Sequence, residues 1–317
     1  MLPKLGVALM LKNESRIIER CLNSILQIAD HVIITDTGST DDTVTKAGLF
    51  LQNHKITYNI YFEPFKGFGW NRERLLEICR LNHPSLDYIL IVDADDLVRE
   101  ELSFHPTKFK ENLTLDFYYI KHAYGFNFHH FQKLTKNNLI FNYVGLTHEY
   151  IDTKDYKGGY NSDIYFEQLN DGYRRYSGNK FTHDIELLEQ EPDKNSRIRF
   201  YLGESYRSVG DYEKALENYK LRTKMGGWNE EIFYSYYQMG KIHEILKSDK
   251  DLIFICYWKA YLSCPHRLES LFALREHHLK YNETEYVNFV TKKMKEIKRP
   301  DSGLFIEVDK YVISESL

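Results

Sequence analysis

The first hundred residues alternate between short apolar runs and segments with helical periodicity. Residues 4–11 form a continuous apolar run, which suits a strand buried on both faces, and residues 31–36, 56–62 and 88–93 are further predicted strands. Between these runs, residues 13–26, 37–51 and 71–81 have the composition or the apolar spacing of helices. Strands that alternate with helices of roughly 10–15 residues predict parallel crossovers. The pattern therefore predicts a Rossmann-like, mostly parallel sheet.

Polar and acidic side chains follow three of these predicted strands. Asn13 and Glu14 come after the first strand, Asp36 closes the second, and Asp93 and Asp95 follow the last. Ligands of parallel α/β sheets bind beyond the carboxyl ends of the strands. We therefore expect these side chains to gather at one edge of the sheet and to form a ligand site.

The pattern changes after about residue 113. Residues 115–134 and 139–152 are rich in aromatic side chains, and their pattern predicts strands that are shorter and more antiparallel than those of the first hundred residues. Residues 152–163 and 170–180 are rich in Gly, Asn, Asp and Ser, which predicts loops.

A helical regime with an internal repeat begins near Phe181. The pair Leu202-Gly203 recurs as Met239-Gly240 at a period of about 34–37 residues, as in tetratricopeptide (TPR) helix pairs. Ala215 and Tyr219 stand where such a pair requires a small and an aromatic residue. We therefore predict an α/β domain over residues 1–180 and an all-α, TPR-like domain over residues 181–317.

Composition narrows the function classes. A hydrophobic fraction of 43% and a charged fraction of 28% are typical of a soluble globular protein, and a net charge of −4 argues against nucleic acid as a partner. The four cysteines lack metal-site spacing and suit buried positions in a reducing compartment. No apolar run approaches the ~20 residues of a transmembrane helix. We expect a cytoplasmic protein, or one of the host cytoplasm or virion if the source is viral.

The densest group of carboxylates is the Asp93-Ala94-Asp95-Asp96 segment after the last strand. Mg²⁺ and Mn²⁺ prefer carboxylate, water and phosphate oxygens, so a strand-end Asp-x-Asp suits a metal bridge to a nucleoside diphosphate. An Asp-x-Asp alone is also common in surface loops. The preceding parallel-strand pattern favours the metal site.

Two further segments offer nucleotide-binding groups. Asp36 could accept a hydrogen bond from a base N–H or a ribose hydroxyl, although its neighbourhood also suits a turn and a helix cap. Asn71 and Arg72 stand at a predicted helix start, where an arginine can bind a diphosphate with two hydrogen bonds. Arg72 and Arg74 equally suit plain surface charges.

Four segments, in this order and spacing, resemble the N-terminal half of a family 2 glycosyltransferase with the GT-A fold. They are LMLKNESRIIERCLNSI, VIITDTGSTDDT, FGWNRERLL and YILIVDADD. The segment GLTHEYID and the helical repeat are similar to TPR-containing members of that group. The resemblance implies a nucleoside-diphosphate sugar, usually UDP-linked, as donor, with Mn²⁺ or Mg²⁺ and usually with inversion.

The resemblance also assigns residues. The donor-binding positions that it implies are Asn13, Glu14, Asp36, Asn71, Arg72, Asp93, Ala94 and Asp95. Asp93 and Asp95 match the metal-binding Asp-x-Asp, and His148 or His183 would add a late histidine ligand, with His148 preferred. The downstream Glu-Asp pair and the Gln-x-x-Arg-Trp motif of many relatives are absent. Glu149 is therefore predicted as the catalytic base, ahead of Asp184.

The leading hypothesis is thus a metal-dependent transferase that moves a sugar from a UDP-sugar, by default UDP-glucose, to an acceptor hydroxyl. The alternatives are a nucleotidyltransferase and a non-catalytic TPR adaptor with a degenerate nucleotide-sugar domain. The acceptor is a glycan, a peptide or a small molecule, and residues 124–134 suit either an acceptor cleft or core packing. The helical array suits peptide binding, a structural brace or a homodimer.

Overall fold

The computed structural model describes residues 2–124, 127–300 and 303–314, so Gly125 and Phe126 of the predicted acceptor stretch lie outside the described residues. The chain divides into two compact units, Met1–Lys180 and Phe181–Leu317.

The described part of the first unit forms an eight-stranded mixed sheet and a small two-stranded one. The strands are β1 (Leu5–Leu11), β2 (His31–Asp36), β3 (Tyr58–Phe62), β4 (Tyr88–Val92), β5 (Asp96–Glu100), β6 (Phe117–Tyr124), β7 (Asn127–Lys136), β8 (Tyr143–Val144), β9 (Tyr150–Ile151) and β10 (Gly158–Gln168). The large sheet has the order β3-β2-β1-β4-β7-β6-β10-β5, and β8 pairs with β9.

The first half of the large sheet is parallel, as the alternating pattern predicts. β1 pairs in parallel with β2 and β4, and β2 pairs in parallel with β3. Leu11 lies opposite Asp36, and Leu9 lies opposite Val92, so the three strands end at one edge of the sheet. The α/β fold class is confirmed, and the acidic strand ends meet at this edge.

The second half contains two strands that the sequence pattern does not predict, β5 and β10. Residues 158–163 were predicted as a loop, but they begin β10, which runs parallel to β6 and antiparallel to β5. Gly158 and Gly159 are glycines because the strand passes directly over side chains. A Cβ at Gly158 would lie 2.0 Å from Phe117 Cζ, and one at Gly159 would lie 2.6 Å from Leu115 Cδ1. Close packing, and not a turn, explains these glycines.

The helices of the first unit cover both faces of the sheet. They are α1 (Ile18–Asn23), α2 (Thr43–Asn53), α3 (Phe68–Asn82), α4 (Pro106–Glu111) and α5 (Tyr173–Tyr176), and α6 (Lys180–Gln190) begins at the boundary between the units. Successive residues of the parallel strands enter two different cores: Leu90 belongs to one core, whereas Ile89 and Ile91 belong to the other. Burial on both faces explains why β1, β2 and β4 are apolar runs.

The described part of the second unit is helical throughout. Its helices are α6, α7 (Ser196–Ser208), α8 (Tyr212–Arg222), α9 (Asn229–Ile245), α10 (Lys250–Ser263), α11 (Glu269–Lys280), α12 (Thr284–Met294) and α13 (Val308–Ser314). The sequence repeat corresponds to a packing repeat. A Cβ at Gly203 would lie 2.6 Å from the ring of Tyr219, and one at Gly240 would lie 2.4 Å from the ring of Tyr257. The TPR assignment itself stays a prediction.

Within the described residues, no helix combines the length and the apolar character needed to cross a bilayer.

Candidate functional site

The loops after β1 and β2 are tied together at the carboxyl edge of the sheet. Thr40 N donates to Asn13 Oδ1 at 2.7 Å, and Asn13 N donates to Ser39 Oγ at 2.9 Å. Glu14 N donates to Thr43 Oγ1 at 2.7 Å. These bonds fix the position of Glu14 beside the end of β4 and use the side chain of Asn13 for loop structure.

Asp36 is a buried carboxylate in which one of the two oxygens accepts hydrogen bonds. Its Oδ2 accepts hydrogen bonds from Gly38 N at 3.1 Å and Ser39 N at 2.9 Å, and Gly38 has a φ of +103° that favours glycine. Asp36 is only 3% exposed, and its buried Oδ1 has no hydrogen-bond partner within the residues that the structure describes. A buried acceptor of this kind suits a ligand that brings a donor.

Asp93 is held between two cations. Arg72 Nη2 lies 2.6 Å from Asp93 Oδ1, and Lys133 Nζ lies 2.7 Å from Asp93 Oδ2. Burial acts to raise the pKa of Asp93, but the charges of Arg72 and Lys133 outweigh it and hold the pKa well below its ordinary value. Asp93 is therefore an ionised carboxylate with one cationic partner at each oxygen.

Arg72 joins Asp93 to Glu149, which lies 77 residues further along the chain. Its Nε is 2.5 Å from Glu149 Oε1, and both side chains are largely buried. Phe68 N donates to Leu146 O at 2.6 Å, which anchors the start of α3 to the segment before Glu149. The predicted base and the predicted diphosphate-side arginine thus lie in one ion-pair network with Asp93.

Asp95 and Glu14 form the acidic part of the site. A Cβ built on Gly172 would lie 3.5 Å from both Asp95 Oδ2 and Glu14 Oε1, so these two oxygens lie no more than 7 Å apart. Burial, followed by repulsion from Asp93 and Asp96, raises the pKa of Asp95 to about 6. Burial also raises the pKa of Glu14 to about 7, against a hydrogen bond from Tyr173 N and with further repulsion from Asp95. In the part of the chain that the structure describes, neither carboxylate is in an ion pair.

Asp96 has a different environment from its neighbours. It is fully buried, its N donates to Asp93 O to close the turn, and His122 Nε2 lies 2.8 Å from its Oδ1. Lys133 Nζ is 3.8 Å from its Oδ2. His122 and Lys133 therefore join the acidic turn to strands β6 and β7.

Lys133 is a site residue that does not follow from the sequence pattern. The pairing of β6 with β7 shifts at this residue, since Tyr118 lies opposite Leu134 whereas Tyr119 lies opposite Gln132. Such a bulge redirects a side chain. One sequence feature could have indicated Lys133. It is a basic residue in an aromatic strand, β7, and this strand pairs with β4, which is followed by Asp93.

The other predicted residues lie as follows. Asn71 is buried, and its side chain bonds Lys66 N and Pro64 O. Ala94 is buried in the turn, and His148 is half-buried with a φ of +52°. Asp184 is buried in α6 of the second unit. Their predicted roles stay predictions.

The acidic group provides suitable ligand chemistry for a hard divalent cation. Asp93 already has two cationic partners, but Asp95 and Glu14 are half-buried carboxylates that form no ion pair within the described residues. That deficit of positive charge fits a bound cation with oxygen ligands. Among the described residues, the ligand atoms of Asp93, Asp95 and His148 do not all lie within 4.8 Å of one another.

Part of the chain is similar to a known protein family. Residues 7–106 match the model of glycosyl transferase family 2. An uncharacterised glycosyltransferase of Rickettsia conorii is 25% identical over 244 residues, which cover 73% of this chain and 79% of the relative. The SPbeta prophage-derived glycosyltransferase SunS of Bacillus subtilis is 24% identical over 234 residues, which cover 69% of this chain and 53% of SunS.

Solved structures match at low similarity. S. aureus TarS 1-349 is 12% identical, with a TM-score of 0.42 over 92% of this chain and 91% of that chain. Glucosyl-3-phosphoglycerate synthase from Mycobacterium tuberculosis, in complex with Mn²⁺, UDP and phosphoglyceric acid, is 22% identical, with a TM-score of 0.28 over 39% of this chain and 44% of that chain. Residues 7–106 of this chain are thus similar to glycosyl transferase family 2, and both named relatives are glycosyltransferases.

Proposed function

We propose that the chain transfers a sugar from a UDP-sugar to an acceptor hydroxyl, with inversion at the anomeric carbon and with help from Mn²⁺ or Mg²⁺. One observation carries the proposal: among the described residues, Asp95 and Glu14 lie near one another without a cationic partner, beside the cation-paired Asp93. UDP-glucose stays the default donor.

In this proposal each strand end has its own task. Asp36 Oδ1 accepts a hydrogen bond from the uracil or the ribose, because it is the buried acceptor without a partner in the described chain. Asp95 is the metal ligand on which the proposal depends, with Glu14 beside it, and Asp93 and His148 stay predicted ligands. When bound, the divalent ion neutralises negative charge on the leaving diphosphate.

Glu149 is proposed as the catalytic base. An inverting transfer needs one carboxylate that takes the proton of the acceptor hydroxyl while this oxygen bonds to the anomeric carbon. The bond from that carbon to the diphosphate oxygen breaks in the same step, and UDP leaves. Arg72 bonds Glu149 Oε1, so Oε2 is the oxygen that we assign to the proton. Asp184 stays the second candidate base.

The acceptor is placed beside Phe131 in this proposal. Phe131 is 45% exposed, and its ring centroid lies 5.4 Å from that of His122, the partner of Asp96. An exposed aromatic ring this close to the acidic turn gives a stacking surface for a sugar ring or an aromatic side chain. A glycan, a peptide and a small molecule all stay open as acceptors.

The test is thermal stabilisation of the protein by UDP-, GDP-, ADP- and CMP-sugars, each with and without Mn²⁺. A donor at 100 times its Kd adds roughly 2.7 kcal/mol, so the Tm shift is readily measured. We expect one nucleotide class to stabilise the wild type in a Mn²⁺-dependent way and to lose this effect in Asp95→Asn. Asp116→Asn is the matched control, because Asp116 forms an ion pair with Lys136 outside the site.

Product analysis separates the alternatives. Release of UDP from the stabilising donor supports the transferase, whereas release of pyrophosphate from a nucleoside triphosphate identifies a nucleotidyltransferase. Donor binding without turnover supports the adaptor. If no donor stabilises the protein, the proposal is wrong.

A further inference from the structure

The second unit contains a group of potential metal ligands far along the chain from the donor site. Glu230, Cys264 and His266 each offer one ligand atom, and these atoms all lie within 4.8 Å of one another. Carboxylate, thiolate and imidazole together are typical ligands of zinc and of similar borderline metals. We propose that this cluster binds Zn²⁺ or a similar ion, independently of the transferase activity.

The backbone holds the three ligands in place. Glu230 lies in the first turn of α9, and Cys264 and His266 lie on the turn that follows α10. Arg267 N donates to Cys264 O at 2.9 Å, which closes this turn, and Pro265 restricts the backbone between the two ligands. The ligand atoms are therefore presented by a fixed turn and a helix start.

The two oxygens of Glu230 have separate roles. Oε2 accepts hydrogen bonds from Leu304 N at 2.9 Å and from Arg267, which is fully buried. Oε1 is directed to His266 Nε2, at 3.3 Å. Oε1 is thus the ligand atom, and the bonds to Oε2 orient the carboxylate, as groups behind a metal ligand do.

The charge of the cluster favours a divalent ion. Two buried carboxylates, Glu230 and Glu269, share the guanidinium of Arg267, which leaves one formal negative charge when His266 is neutral. Binding of M²⁺ with loss of the Cys264 thiol proton adds one positive charge in total. The metal complex is therefore formally neutral, which removes the cost of a buried net charge.

The site also has an entry path and room to adjust. The His266 side chain is 60% exposed, so an ion reaches the cluster from solvent. Ligands of tetrahedral zinc lie about 3.3–3.8 Å apart. Since the three ligand atoms already lie within 4.8 Å of one another, closure needs a movement of at most about 1.5 Å, which the exposed imidazole can make. A water molecule would complete the coordination.

The experiment is a Co²⁺ titration of the full-length chain, followed through the near-ultraviolet charge-transfer band of thiolate-bound cobalt. We expect one equivalent of Co²⁺ to develop the band, to release one proton in weakly buffered solution and to be displaced by Zn²⁺. Cys264→Ser should abolish the band, and His266→Gln should weaken Co²⁺ binding at least tenfold.

Cys256→Ser is the matched control, because Cys256 is a buried thiol of α10 outside the cluster, and it should leave the band unchanged. His266→Gln changes an exposed side chain and should keep the metal-free Tm of the wild type, so a loss of binding there is not a folding defect. Absence of the band in the wild type, or equal affinity in His266→Gln, would overturn the inference.

Discussion

Replacement of Arg72 tests the central ion-pair network. Arg72→Met removes the charged bonds to Asp93 and Glu149 at 2.6 and 2.5 Å, and both partners are less than one third exposed. Asp93 keeps Lys133, but Glu149 is left without its cation. Removal of one partner of a buried pair costs about 3–5 kcal/mol. Since these side chains retain some exposure, we expect a loss of about 3 kcal/mol.

The assay is urea unfolding followed by far-ultraviolet circular dichroism, with Arg74→Met as the control. Arg74 lies on the same helix and also pairs with two carboxylates, but it is 36% exposed, so its loss should cost less than about 1 kcal/mol. The double variant Arg72→Met/Glu149→Gln should recover part of the loss, because the unpaired charge is gone. Equal costs for Arg72→Met and Arg74→Met would refute the reasoning.

Three further predictions test other parts of the molecule. Asp36→Asn should weaken binding of the donor nucleotide by about 1.5–3 kcal/mol in calorimetry, since a hydrogen bond to a charged acceptor is lost, and unchanged affinity would exclude Asp36 as a ligand. Gly240→Ala should cost about 1–3 kcal/mol of unfolding free energy, because its Cβ would meet the ring of Tyr257 at 2.4 Å; Gly48→Ala, whose Cβ would lie 3.3 Å from Tyr58 Oη, is the control. Burial acts to raise the pKa of Glu307, but the charges of Lys310 and Lys241 outweigh it and lower the pKa overall. The ionised Glu307 therefore stabilises the fold above its unfolded pKa of about 4.3, and this stabilisation is lost as the pH falls below that value. Glu307→Gln should therefore be destabilised by about 1 kcal/mol at pH 7, with a deficit that shrinks in acid; a deficit that does not vary with pH would contradict this assignment.

Local pattern was sufficient for the first half of the fold. Strands β1, β2 and β4 are buried on both faces, and continuous apolar runs are the direct signature of such burial. Parallel strands end at one edge, so the clustering of Asp36 with Asp93 and Asp95 followed from the alternation of strands and helices. The Gly203 and Gly240 repeat was also visible, because each glycine packs against an aromatic side chain one helix further on.

Contacts between residues far apart in the chain determined the second half of the sheet and the ion pairs of the site. Gly158 and Gly159 are typical of a loop in sequence, yet they lie in β10 because this strand passes over Phe117 and Leu115. The cations that hold Asp93 come from α3 and from a bulge in β7, 21 and 40 residues away in the chain. The sequence alone determined which strands are buried and where their acidic ends meet. Only the tertiary structure determined which cations and carboxylates become partners, because the energy of a charged group depends on what lies within a few ångströms and not on its neighbours in the chain.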